Sequence, residues 1–326
     1  MINNIKKIKN EETNEEDLIF RTVLSNYEIN NSNIQDIISS SESVKTNELV
    51  IKSLDISNEL IHKIFELVEF ESLVFESKIN FVEPIYNNII PNKIIKLVLP
   101  DNFDYPIDLL VDLTNLTSLT FGFNFNKPIE LLKNLTNLES VTFGSSFNQP
   151  IKSIGNLTNL TNLVFGFSFN QSIEPISNLV KLENIIFGTL FNKPIHWASG
   201  LVNLKNLTFG IMFDQSIHSL YTLTNLQSIK FGYSFDQSIE VFSYFSNLQT
   251  LIFDDQFNQS ISSLSKLSKL ENLTFGFNFN QPIYSLFELT NLKILNFKKS
   301  SNNDKYINLI SLLKKKIPQL SVNIIY

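Results

Sequence analysis

The chain has 326 residues, 26 Lys+Arg against 32 Asp+Glu, a formal net charge of −6 and no Cys. The absent Cys excludes disulfide scaffolds, thiol nucleophiles and Cys-based zinc sites. The mild acidity argues against nucleic acid as a partner, since such binders are basic. No apolar run approaches the ~20 residues of a membrane-spanning helix, so a membrane is not expected as a partner either.

Met1 to Asp17 is charged and lacks the apolar stretch of a signal peptide, which leads to the expectation of a cytoplasmic protein. Glu15–Leu24 reads as a helix, and residues 1–45 as a charged segment and cap for the first repeat. Residues 46–99 read as degenerate repeats. Leu49 and Ile51 suit an early strand. Ser57 to Val68 reads as a helix, with Ser57 as N-cap and Leu60, Ile61, Ile64, Phe65 and Val68 as its apolar stripe. Phe70, Leu73 and Phe75, then Ile94, Leu97 and Leu99, match the spacing L-x-x-L-x-F.

Residues 100–300 form a regular array. Phe103-Asp104-Tyr105-Pro106-Ile107 recurs at Phe125, Phe147, Phe169, Phe191, Phe213, Phe235, Phe257 and Phe279, 22 residues apart at every step. Ahead of the copies runs L-x-x-L-x-F, from Leu116, Leu119 and Phe121 to Leu292, Leu295 and Phe297. Leu119 and Phe121 are two apart and share one face of a strand. Leu110, Leu113 and Leu116 are three apart, which suits a 3₁₀ or α turn. One such coil cannot bury its Leu and Phe side chains, but stacked coils can. The expected fold is therefore a solenoid of 22-residue coils, with a parallel β-sheet on one face and helical end caps.

Three columns carry further expectations. The Phe121 and Phe125 columns should form two aromatic ladders inside. Asn126 and its equivalents, which become Asp at 214 and 236, should act as acceptors for nearby turn amides, since an ionised Asp cannot donate. Gly122 and its equivalents follow the inward Phe and suggest a left-handed turn or a tight strand end. Beyond the array, residues 301–326 read as a C-terminal cap: a helix at Asp304–Lys315 and a strand at Val322–Tyr326. Lys314, Lys315 and Lys316 suit a solvated helix C-terminus.

The L-x-x-L-x-F…F-N-x-P-I pattern resembles the FNIP repeat family, a branch of the leucine-rich repeats, over about Ile94 to Phe297. Ser172, Ser216, Ser238 and Ser260 depart from it where Pro is expected. The family occurs in social amoebae and giant DNA viruses, in keeping with the AT-rich codon bias implied by a single Arg, Arg21. The resemblance implies a non-enzymatic α/β leucine-rich-repeat-like solenoid acting as a protein-interaction scaffold. A second stretch, Ile56 to Phe65, is similar to the opening of an F-box, without its usual Leu-Pro start. That resemblance implies a substrate adaptor for a ubiquitin ligase, with ligase components as partners. A coil helix fits the same residues.

Nothing in the pattern marks a catalytic, cofactor or metal site. His196 and His218 are one period apart, but no acidic column stands beside them to complete a metal site, and His62 is alone. There is no P-loop and no G-x-G-x-x-G. The sequons at Asn115, Asn134, Asn156, Asn159, Asn206 and Asn272 fall out of the repeat phrase itself. The exposed strand face remains. Its candidates for partner binding are Val164, Phe167, Ile186, Ile211 and Tyr233, with Phe123 and Phe277 farther out. The competing reading packs these side chains on the neighbouring coil's edge.

Overall fold

The computed structural model describes residues 22–29, 44–52, 55–56, 58–76, 80–81, 90–299 and 303–325. Each coil contributes one short strand, and the strands pair in chain order into a 15-stranded sheet that is parallel throughout. The register follows the period. Ser118 lies opposite Ser140, and Asn162 opposite Asn184. Before the regular array the step is longer: Glu48 pairs with Ser72, and Ser72 with Lys96. A small second sheet joins Asp55–Ile56 to Asn80–Phe81.

The return path of each coil is a 3₁₀ turn. Its hydrogen bonds run every three residues: Leu132 N–H to the Ile129 carbonyl, Leu135 to Leu132, and Leu138 to Leu135, each 3.0 Å. The three-residue Leu spacing thus becomes an unbroken inward row, and Leu132, Leu135 and Leu138 are all buried.

The two Phe columns interleave as expected. Within a coil, Phe121 stacks on Phe125 at 4.1 Å, and Phe165 on Phe169 at 3.8 Å. Between coils, Phe121 to Phe143 is 5.3 Å and Phe253 to Phe275 is 5.9 Å. The column farther from the strand is wider, with Phe125 to Phe147 at 6.0 Å and Phe169 to Phe191 at 6.2 Å. Strands in a sheet are about 4.8 Å apart. The coils therefore fan out away from the sheet, which puts the strands on the inner, concave side and the 3₁₀ turns on the outer side.

Two polar columns bind coil to coil. Asn126 Oδ1 accepts the Asn148 N–H at 2.9 Å, and the same bond repeats at Asn170 and Asn192. Asp214 Oδ1 accepts from the Asp236 amide at 3.0 Å. A ladder of acceptors for the amides at the coil corner was expected of this column, and the amide that each one satisfies is that of the equivalent residue in the next coil. A second column was not anticipated. Asn137 Nδ2 donates to the Thr114 carbonyl and Asn225 Nδ2 to the Val202 carbonyl, both at 2.9 Å. Where that column carries Lys181 or Lys269, the ammonium donates to Asn159 or Asn247 of the previous coil.

The glycine column decides between the two expectations for it, in favour of a tight strand end. None of these glycines has the positive φ of a left-handed turn. A β-carbon on Gly144 would lie 1.8 Å from the Gly122 carbonyl oxygen, and one on Gly188 only 1.7 Å from that of Gly166. Close approach of successive backbones, not backbone handedness, favours glycine in this column, with Asp254 and Lys298 as exceptions.

The ends differ more from expectation. Glu15–Leu24 was expected to be a helix, but Thr22 to Leu24 open a strand, Thr22–Ile29, that pairs with Val44–Ile51 over their length. The β-branched Thr22 and Val23 favour that pairing, and tertiary partners override helix propensity. The rest of the expected helix lies outside the described residues. Leu49 and Ile51 are buried on their strand. Helix α1, Asn58–Leu67, buries Ile61 and Ile64, while Ser57 and the side chain of Leu60 lie outside the described residues.

At the other end, a 3₁₀ turn at Asn303–Tyr306 leads into helix α2, Ile307–Lys316, and a last strand, Ser321–Ile325. Lys305 donates to Asn280 Oδ1 and terminates the acceptor column. Tyr306 stacks on Phe297 at 5.4 Å and terminates the aromatic one.

Two predictions follow from these columns. Asn170→Asp keeps its acceptor and should shift the urea midpoint little, whereas Asn170→Lys orphans the Asn192 amide, a loss on the order of 1 kcal/mol. At Asn225 the order should invert, with Asn225→Lys tolerated better than Asn225→Asp. Second, burial pushes the Tyr306 phenol up to about 12 from its ordinary 10.0. The folded chain holds that proton more tightly than the unfolded one. Its contribution is therefore complete below pH ~10 and is lost as pH rises toward 12. Phenolate absorbance should show one tyrosine ionising last, and Tyr306→Phe should remove that late step.

Candidate functional site

Stacking consumes the interior, so the surfaces hold what chemistry remains. His196 and His218 sit exposed at the starts of successive 3₁₀ turns. His62 is exposed on α1. Among the described residues no three His, Asp or Glu side chains gather in a metal-holding group.

The concave strand face is almost uncharged. Successive strands present Ser118, Ser140, Asn162, Asn184 and Asn206 in one row and Thr120, Thr142, Val164, Ile186 and Thr208 in the next. Each residue after the glycine emerges at the strand's C-terminal edge. There Phe123 is 54% exposed, Phe167 52%, Ile211 47%, Tyr233 45% and Phe277 51%. Ile186 is also exposed, and Val164 is half-buried. About half of each of these edge residues therefore stands in solvent.

The structure gathers some of these residues and separates others. Leu190 N–H donates to the Phe167 carbonyl and Met212 N–H to that of Thr189, both at 2.9 Å, so these residues occupy adjoining coils. Phe167, Ile186, Leu190, Ile211, Met212 and Tyr233 form an exposed apolar ridge over four adjoining coils, with Thr189 between Phe167 and Ile211 in the edge column. Leu190 and Met212 are exposed members that sequence reasoning missed. The available signal was their departure from a column otherwise occupied by Asn124, Ser146, Ser168, Ser234, Gln256 and Asn278. Phe123 is cut off from the ridge by Ser145, and Phe277 by Asp255.

Asp254 and Asp255 mark the ridge's far end. Both reach Lys298, at 2.5 and 2.8 Å. Burial opposes ionisation of Asp255, but the Lys298 ammonium and the Phe277 amide outweigh it and hold the carboxyl below its usual range. One ammonium thus serves two carboxylates. At the opposite strand edge lies an open polar groove of about 640 Å³, lined by Lys181, Asn203, Asn225 and a Glu183–Lys205 ion pair of 2.8 Å.

The segment similar to an F-box takes part in the stack. Ile61 and Ile64 of α1 are in the core, Phe65 and Leu67 pack against it, and Ser72–Phe75 is a strand of the main sheet. Its apolar residues are already engaged by neighbouring coils.

A comparison with solved structures agrees with this geometry. An internalin, InlF, from Listeria monocytogenes superposes with a TM-score of 0.69 at 18% identity, covering 89% of this chain and 86% of that one. A chain of the Drosophila Toll–Spatzle complex gives 0.69 at 16%, covering 92% and 43%. CroV588, a circular leucine-rich-repeat protein, gives 0.53 at 26%, covering 78% and 43%. The fold is that of a leucine-rich-repeat solenoid. No protein-family model and no curated protein matches the chain. Among the described residues no helix is long and apolar enough to cross a membrane.

The ridge side chains carry little folding energy, because they remain in water. Ile211→Ser with Met212→Ser should leave the melting temperature within a few degrees of the parent while lowering binding of a hydrophobic dye. A large loss of stability would show that these residues are packed.

Proposed function

We propose that this leucine-rich-repeat solenoid is a non-enzymatic scaffold that binds a protein partner on its concave strand face. The observation that carries the reading is the ridge itself. Six large apolar side chains lie together on four adjoining coils, all of them outside the core. Folded monomers rarely leave such a patch open unless something docks there. Aromatic residues within it, Phe167 and Tyr233, are the residue types that dominate binding energy at interfaces. Phe123 and Phe277 then serve as outlying contacts, and Val164 as part of the flanking floor.

The unit L-x-x-L-x-F…F-N-x-P-I supports an FNIP-type assignment within the leucine-rich repeats, with residues 100–300 as the array. The Toll chain of the same fold is seen in a complex with Spatzle, which is in keeping with a binding role. Catalysis is disfavoured on chemical grounds. A repeat multiplies residues of one kind along a column, whereas an active site joins unlike residues in one constellation. Burial of Ile61 and Ile64 of α1 in the core weighs against the ubiquitin-ligase adaptor.

Affinity capture from a host lysate with the parent chain and with Phe167→Ser/Ile211→Ser tests the reading. A specific protein should be retained by the parent and depleted at least ~10-fold by the double variant, as for two interface anchors of ~1 kcal/mol or more each. Equal retention by both chains would remove the ridge from the binding site.

A further inference from the structure

Charge is sorted along the axis of this solenoid. Among the described residues from 22 to 76, eight carboxylates face three lysines. Among those from 293 to 325, seven lysines face one carboxylate, three of them, Lys293, Lys298 and Lys316, being ion-paired with Glu271, Asp254 and Glu288 of earlier coils. The coils stack in chain order, so position in the sequence is position along the axis. The two charge excesses therefore lie at opposite ends of one long body. A fold of higher contact complexity would have mixed them.

At the basic end, strand Ser321–Ile325 is hydrogen-bonded on one side only among the described residues, to Ile294–Lys298. It carries no charge and no proline, and Ile324 and Ile325 are 43% and 38% exposed. On α2 beside it, Ile307 and Leu312 are exposed as well. Soluble proteins ordinarily protect such an edge with a charge, a proline, a bulge or a covering segment. At the acidic end, strand Thr22–Ile29 likewise pairs on one side only among the described residues, with Val44–Ile51.

All pairings in the main sheet are parallel, and each coil repeats the previous one by a fixed step. That same step, applied once more at Ser321–Ile325, brings the first strand of a second copy into line. It also sets the carboxylate-rich end of that copy against the lysine-rich end of the first. A symmetric end-to-end dimer would instead press lysines against lysines. We infer that this chain self-associates head to tail, the edge Ser321–Ile325 of one copy accepting the Thr22–Ile29 end of the next. The contact is heterologous, so it propagates into open chains unless the rotation per copy closes a ring. It is held by β-pairing and apolar contact at Ile324 and Ile325, and steered by opposite charge that salt screens. It does not use the concave ridge, so either proposal can fail alone.

Sedimentation of the full chain over a concentration series tests the inference. Average mass should rise with concentration at low ionic strength and fall back toward the monomer as salt is added. Ile324→Lys puts a charge on the open edge and should weaken association at least ~10-fold, and Lys314→Glu/Lys315→Glu should weaken it and flatten the salt dependence. All three substitutions are at exposed positions, and an unchanged melting temperature would confirm that the monomer is intact.

Orientation can be read directly because the chain has no native Cys. Ile325→Cys mixed with Glu28→Cys should be joined by a short thiol cross-linker, while neither variant alone should be. A single monomeric species at every concentration would overturn the inference. So would cross-linking of Ile325→Cys to itself, or a monomer whose lysine-rich end captures anionic vesicles or nucleic acid instead.

Discussion

Successive coils of this protein approach so closely that the backbone of one leaves no room for a β-carbon on the glycine of the next. The contact between Gly122 and Gly144 is repeated through Gly166, Gly188, Gly210 and Gly232. This spacing governs the rest of the structure. It brings the strands into hydrogen-bonding range, sets the Phe ladders at ring-stacking distance and places each Asn over the amide it must satisfy. Longer steps, as from Glu48 to Ser72 and from Ser72 to Lys96, are absorbed within their own coil, while the nine regular copies hold the period at 22 residues.

The polar columns show how such a stack tolerates change. In one column the Asn acts through its oxygen, and the residues found in its place are Asp104, Asp214 and Asp236. In the other the Asn acts through its nitrogen, and the residues found in its place are Lys181 and Lys269. Asn suits both columns because its amide is acceptor and donor at once. Each replacement retains only the half of the amide that the column uses. The repeat thus keeps a hydrogen-bond role at each position more strictly than it keeps a residue type.

Individual character arises where a column departs from its own rule on the outside of the stack. Leu190 and Met212 break a polar column in neighbouring coils, and together with Phe167, Ile186, Ile211 and Tyr233 they create an exposed apolar ridge. Inside, the same kind of departure is absorbed: Trp197 is buried where Ser153, Ser219 and Ser263 stand in other coils, and its indole N–H finds the Pro194 carbonyl at 3.0 Å. Buried variation is answered by packing, whereas exposed variation remains available to a partner.

Sequence alone determined the period, the inward columns and the parallel stack, because equal spacing of Leu119, Phe121 and Phe125 leaves a repeating chain one way to bury them. It also identified the Asn126 column as acceptors, from the Asp substitutions. Only the tertiary structure decided which groups those acceptors meet, since the bonds join residues 22 apart whose approach depends on the step between coils. The same step, not backbone handedness, accounts for the glycines. The strand at Thr22–Ile29 owes its form to a partner strand that local propensity does not register. The ridge was legible only in part. A pattern shows that Phe167 and Ile211 lie on one edge, but whether an edge side chain is covered by the next coil or stands in water depends on how far the coils fan apart.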